Sequence, residues 1–217
     1  QNGKCIVNGL KWYIIGVGVA SHFILLAQTK DGLTAFLYHK DQPGWNIKRR
    51  IPIMGPEEHG GHCEIEFNGL QISDKNRLGE VGKGLKIVQI RLGLARLTHC
   101  MRWIGLSKRS LEIALDYVSH REGFGIKLSD RESVQIKLGK AAMDIDIARL
   151  LVMRAAWKIE NGSKSRQDVS MAKIHVAETL NNVSDTAIQL NGAKGYSKDI
   201  ILESVSYTHL TLPTIYS

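Results

Sequence analysis

The sequence predicts an α+β protein, in which an antiparallel β-domain (a partial barrel or sandwich) is followed by an antiparallel up-down helical bundle. Three observations predict it. Short β-rich runs separated by turn residues fill positions 4 to about 75, the hydrophobic period changes near Gly84, and three long stripes of helical spacing follow. The expected division is a β-domain over 1–80, a helical bundle over 81–203 and a tail of foreign character over 204–217.

The expected strands are Cys5–Val7, Lys11–Ile15, His22–Gln28, Thr34–His39, Trp45–Ile53 and His62–Phe67. Between them stand Asn8-Gly9, Asp31-Gly32, Gln42-Pro43-Gly44 and Asn68-Gly69, whose residue types favour tight turns. Gly79-Glu80-Val81-Gly82-Lys83-Gly84 reads as a flexible joint into the first helix. It lacks the spacing and the hydroxyl of a nucleotide-binding P-loop. The first helix is expected to bury Leu97, Met101, Ile104, Leu111, Leu115 and Val118, with Lys108 interrupting the stripe. Val134, Leu138, Ala141, Ile145, Ala148, Val152, Ala155 and Ile159 form the second stripe, with Ser129 or Asp130 as its cap and Asn161-Gly162 as its stop. The third runs through Val169, Val176, Leu180, Val183, Ala187 and Leu190.

Composition narrows the function classes. The 217 residues are 43% hydrophobic and 23% charged, as in an ordinary globular protein. Ile14 to Ala20 is too short to span a bilayer, so the expectation is an intracellular soluble protein without a membrane span. Cys5, Cys63 and Cys100 are odd in number and lack CxxC spacing, which argues against a disulfide framework and a metal site. Lys and Arg total 29 against 21 Asp and Glu, yet the only compact basic run is Lys48-Arg49-Arg50. Dispersed cations read as solvated helix faces, so no nucleic-acid partner is expected.

Two segments carry chemistry. Arg121-Glu122-Gly123-Phe124-Gly125 lies between the first two helices, and Gln189-Leu190-Asn191-Gly192-Ala193-Lys194-Gly195-Tyr196 closes the third. An arginine at a helix end can grip a phosphate through two parallel bonds, and a Gly-rich turn lets a bulky anion approach the backbone. Together they suggest a pyrophosphate clamp; taken singly, each is also a common interhelix turn.

These segments, in this order, resemble the C-terminal half of the acyl-CoA dehydrogenase family, FAD enzymes that introduce an α,β double bond into acyl-CoA thioesters. Val7-Asn8-Gly9-Leu10-Lys11-Trp12-Tyr13-Ile14, His62-Cys63-Glu64-Ile65-Glu66-Phe67, Asp146-Ile147-Ala148-Arg149-Leu150-Leu151 and Ser170-Met171-Ala172-Lys173 extend the likeness over residues 3 to 203. Arg91-Leu92-Gly93-Leu94-Ala95-Arg96 with His99-Cys100-Met101-Arg102 resembles the bacterial-type branch that includes members 10 and 11. The resemblance implies that Tyr13 packs on the flavin, and that Arg121 and Phe124 with Gln189 and Gly192 hold the FAD of a neighbouring subunit. It places Arg96 beside the acyl thioester, and implies a homodimer or homotetramer with electron-transferring flavoprotein as acceptor.

The chain departs from the pattern in several places. Ile15 stands where the family usually has a Thr or Ser bonding to the flavin, which leaves the backbone for that job. Glu132 replaces a glutamine that contacts FAD, and Ala193 replaces a glycine. Some relatives carry the catalytic base before the arginine matching Arg96; here the residue is Ala95, which takes no proton. After Glu203 the chain leaves the family pattern, resembling translated linker sequence, so the expectation is a fragment without its base and inactive alone. The rival readings are a non-enzymatic helical interaction module with a small β-domain, and a basic nucleic-acid binder.

Overall fold

The computed structural model describes residues 3–53 and 61–205, which form two compact units that divide between Leu92 and Gly93. In the first, β1 (Lys4–Ile15), β5 (His62–Ser73) and β4 (Trp45–Ile51) make one antiparallel sheet in the order β1-β5-β4. A second sheet, also antiparallel, has the order β2 (His22–Thr29), β3 (Gly32–His39) and β6 (Arg77–Leu78). Leu25, Phe36 and Tyr38 from the second sheet share one core with Val7, Cys63, Ile65, Phe67, Leu70 and Ile72 from the first. Neither sheet closes on itself. Burial pushes the Tyr38 hydroxyl up to about 12.

Two expected turns are instead strand interior. Asn8-Gly9 and Asn68-Gly69 face each other in the middle of the β1–β5 pair, where Val7 opposes Leu70 and Asn8 opposes Asn68. Gly69 is the extra residue of a bulge, with φ 78°, and its N–H donates to Asn8 Oδ1 at 2.7 Å. The bulge moves the inward positions of β5 from Cys63, Ile65 and Phe67 to Leu70 and Ile72. The parity change falls just after Phe67, where the expected strand stops, while β5 itself runs on to Ser73. β4 ends at Ile51, two residues short of the expected Ile53.

The second unit holds α1 (Gly84–His120), which begins in the first unit, α2 (Glu132–Glu160) and α3 (Arg166–Asn191). Leu97, Cys100 and Trp103 of α1 pack with Ala148, Val152 and Ala155 of α2 and Val169, Ala172, Val176 and Leu180 of α3. At the other end Ala114, Ala187 and Leu202 form a small core with Leu138 and Ile188. Early α1 therefore meets late α2 and early α3, the up-down arrangement expected of short connections.

The second and third stripes face inward as expected, with Leu138, Ile145 and Leu190 half-buried and Ile159 38% exposed. On the first, Leu97 and Val118 are buried as expected and Ile104 and Leu111 are half-buried, but Met101 and Leu115 are 60% and 46% exposed, and Cys100, Trp103, Ser107, Ser110 and Ala114 complete the buried face. Small residues allow close helix approach, and the Ser107 hydroxyl donates to the Trp103 carbonyl at 2.9 Å, so a buried serine there needs no outside partner. Neither Ser129 nor Asp130 caps α2. Both lie in a preceding 3₁₀ turn, and Arg131 holds the cap position without a side-chain bond to the helix. The stop is as expected: Gly162, at φ 65°, donates to Ile159 O, and Ser163 donates to Lys158 O. Val205, inside the tail expected to be foreign, is buried in the main helical core; 206–217 lie outside the described residues.

Asp168 is the buried clasp between α2 and α3, with Oδ1 3.0 Å from Arg154 Nη2 and Oδ2 2.8 Å from Lys158 Nζ. The Lys158 hydrogen bond, more than the charges of Lys158 and Arg154, holds its carboxyl below the usual carboxylate range. A depressed pKa contributes stability that is complete above the unfolded value of about 3.9 and is lost as pH falls through the folded value. Urea midpoints should therefore fall between pH 5 and pH 3 by more in the wild type than in Asp168→Asn. Equal falls would remove Asp168 from the acid limb.

Candidate functional site

α1 stops at His120, and the chain reverses through a hairpin of β7 (Glu122–Gly123) and β8 (Ile126–Lys127). Arg121 anchors both sides of it, donating its N–H to Tyr117 O and accepting at its carbonyl from Leu128 N, each at 2.9 Å. The two-residue loop Phe124-Gly125 has φ 55° and 80°, and a tight hairpin of this hand demands both positive. Glycine meets that demand freely. Phenylalanine meets it at a cost of roughly 1–2 kcal/mol and gains no burial, since its ring is fully exposed.

Arg131 offsets that cost. Its Nη2 donates to the Gly123 carbonyl at 2.6 Å, and its guanidinium lies 5.8 Å from the centre of the Phe124 ring. A hydrogen bond from a charged donor contributes about 1.5–3 kcal/mol and an exposed cation–π contact about 0.5–1 kcal/mol, enough to hold the strained loop. Arg121 itself is exposed.

Gly192 ends α3 with φ 59°, and its N–H donates to Gln189 O. Nothing lies within 4 Å of where its Cβ would be, so its constraint is conformational. Gly195 is constrained by space instead. A Cβ there would strike the Ile188 backbone, with Cα at 2.9 Å, so the turn folds tightly onto the helix it follows. Gln189 is exposed, while Asn191 is buried and donates Nδ2 to Ala187 O at 2.8 Å. The small core of Ala114, Ala187 and Leu202 joins the last turns of α1 and α3. The hairpin and the Gly192 turn thus share one end of the helical unit.

Arg96 does not join them. It precedes Leu97, whose core partners are late α2 and early α3, at the opposite end of the helices. There it stands close enough to Lys173 that its charge, second to burial, lowers the Lys173 pKa. Burial also pushes the neighbouring Cys100 thiol up to about 11, which leaves it protonated and unreactive at neutral pH.

In the β unit Tyr13 has φ 64°, at a register break of β1 between Lys11 and Ile14. Its ring packs on His62, with centroids 4.3 Å apart, and meets Trp12 at 5.2 Å. Ile15 pairs with His62 across the sheet and is 58% exposed. Its side chain has no group to bond a ligand, as the sequence indicated. Tyr13 and Phe124 are the only non-glycine residues with positive φ among those described; Tyr13 is expected on the flavin and Phe124 at the pyrophosphate and adenosine of FAD. Strain of this kind concentrates where a fold presents side chains to a ligand.

The acyl-CoA dehydrogenase C-terminal domain family matches residues 82–216. The chain belongs to the acyl-CoA dehydrogenase family. It is 35% identical over 204 residues to the probable acyl-CoA dehydrogenase FadE2 of Mycobacterium tuberculosis, covering 89% of this chain and 50% of that protein. Acyl-CoA dehydrogenase family member 11 of Gallus gallus is 34% identical over 213 residues, covering 92% and 27%, in the branch expected from Arg91 to Arg102. A solved structure described as PigA with FAD and proline superimposes with a TM-score of 0.89 at 27% identity, covering 94% of this chain and 55% of that one. The chain spans half the length of the first of these relatives and about a quarter of the second. Among the described residues no helix is long and apolar enough to cross a membrane, and no group of His, Cys, Asp and Glu could hold a metal ion.

Arg131 and His62 escaped the sequence reading. Arg131 looks like one more solvated cation beside a helix start, and only the observed reach of its side chain back to Gly123 distinguishes it. His62 opens an expected strand, but its pairing with Ile15 and its ring contact with Tyr13 come only from the fold.

Proposed function

We propose that this chain forms the FAD-holding part of an acyl-CoA dehydrogenase, in which Arg121 and Phe124, with Gln189 and Gly192, grip the pyrophosphate and adenosine of FAD bound to a neighbouring subunit. The observation that carries the reading is the hairpin: a strained, fully exposed aromatic beside an exposed arginine, at the same end of the helices as the Gly192 turn. The residues fit such a ligand, since a bare ring offers stacking and a guanidinium fork matches phosphate oxygens. Tyr13, braced on His62, takes the flavin ring.

Bound flavin supplies the acceptor for the hydride that leaves Cβ of the acyl thioester. This chain's residues bind and orient. Arg96 steers the acyl group and the base, and Ala95 beside it takes no proton, so the proton is held by a carboxylate other than one at that position. We read residues 1–80 as the middle β-domain and 81–203 as the helical domain, with electron-transferring flavoprotein as acceptor.

Assembly into a homodimer or homotetramer is part of the same reading. Ile136, Met143, Leu150 and Trp157 recur every seven residues along α2, all between 56% and 63% exposed. An apolar ladder of that length is what a partner helix covers.

Turnover of a panel of acyl-CoA thioesters by the full-length protein, with a dye acceptor and bound-flavin absorbance read together, tests this function. Yellow protein that oxidises at least one thioester is expected. Colourless protein that FAD does not reconstitute would refute the enzyme reading and favour the interaction module.

A further inference from the structure

We propose that Arg131 is a positioning residue for the Phe124 ring, bracing the loop that presents the exposed ring to a flat ligand; this rests on the reading that the hairpin binds FAD. Arg131 belongs to the start of α2, yet its side chain reaches back across eight positions to the hairpin. One nitrogen donates to the Gly123 carbonyl at 2.6 Å, and the same guanidinium stands 5.8 Å from the Phe124 ring centre. The first contact fixes the residue before the strained position, and the second fixes the side chain that the strain throws outward.

The hairpin needs such a brace. It has two residues in each strand, which gives the loop little ladder of its own to lean on. Phenylalanine at φ 55° would leave that conformation if a core site were on offer, but its ring is fully exposed. An unbraced ring on an exposed loop samples several rotamers, and a ligand must then order it on binding. With Arg131 in place the loop is already braced, and the exposed ring is a platform for a planar, electron-deficient or aromatic group. The class of ligand is a nucleotide whose base stacks on that ring while its anionic linkage meets Arg121.

The test is a double-mutant cycle in the full-length protein, with FAD affinity read by flavin-fluorescence titration and fold stability read separately as Tm. Arg131→Gln should weaken FAD binding roughly tenfold, as loss of one charged hydrogen bond does. Tm should fall by only a few degrees, because the hairpin can open locally without unfolding the helices. Arg131→Lys keeps the positive charge over the ring but loses the fork, so its affinity should fall between the two. In a Phe124→Asn background, where an αL-tolerant side chain removes both strain and ring, Arg131→Gln should add little. An equal loss in both backgrounds would overturn the proposal, because Arg131 would then touch the ligand itself. Wild-type affinity in Arg131→Gln alongside weakened binding in Phe124→Asn would also overturn it, while leaving the hairpin as the FAD site. Wild-type affinity in Phe124→Asn and Arg121→Ala alike would remove the hairpin reading on which it rests.

Discussion

Gly82→Ala will destabilise the β unit by roughly 2–4 kcal/mol, the sum of backbone strain and forced overlap. Gly82 sits at φ 75°, and a Cβ there would run into the Asp31 carbonyl in the loop between β2 and β3. Its N–H also donates to the buried Thr34 hydroxyl at 2.9 Å, a bond that a shifted backbone would break. Two residues on, Gly84 starts α1 against the same strand, with a Cβ only 2.6 Å from Ala35 N and 2.8 Å from Thr34 C. Alanine there gains about 0.5–1 kcal/mol of helix propensity, and overlap with backbone outweighs that gain. Gly139, exposed in α2 with nothing within 4 Å of its Cβ position, is the contrast. Gly139→Ala should be neutral or stabilising. Chemical denaturation of the three variants checks the order, and a Gly82→Ala protein as stable as the wild type would contradict the close approach of the joint to β3.

Arg121→Ala should cost the full-length protein most of its bound FAD. Each charge-assisted bond contributes about 1.5–3 kcal/mol, so loss of a two-bond grip weakens binding by roughly a hundredfold or more. Arg121→Lys keeps a point charge without the fork and should retain part of the cofactor. If Arg121 were only a helix-end cation, its removal would cost about 0.3–1 kcal/mol of fold stability and no flavin. The FAD:protein ratio after gel filtration separates the two. Equal ratios in wild type, Arg121→Lys and Arg121→Ala would take Arg121 out of the site.

Much of this was legible before any coordinates, for physical reasons that differ by element. The α2 and α3 stripes are carried by aliphatic residues whose only role is burial, so periodicity alone located Val152, Ala155, Val176 and Leu180 in the core. On α1 Leu97, Trp103 and Val118 share the buried face with Cys100, Ser107, Ser110 and Ala114, and apolarity is a poor guide where small residues and a self-satisfied hydroxyl do the packing. Asn-Gly pairs signal turns because they tolerate positive φ, and a bulge makes the same demand, so Asn8-Gly9 and Asn68-Gly69 could not be assigned without the pairing. For the candidate site, Arg121, Phe124 and Gly192 were visible as residue types in a family order. The strain at Phe124 and the brace from Arg131 depend on backbone angle and side-chain reach, which no spacing encodes.

Amide hydrogen exchange of the full-length protein, apo and reconstituted with FAD, reads the Phe124 hairpin and the Gly192 turn separately. If both hold FAD, exchange slows with FAD across Arg121–Leu128 and Gln189–Tyr196 and is unchanged in the outer strand Trp45–Ile51. Protection confined to other segments, with both of these unaffected at saturating FAD, would contradict that assignment.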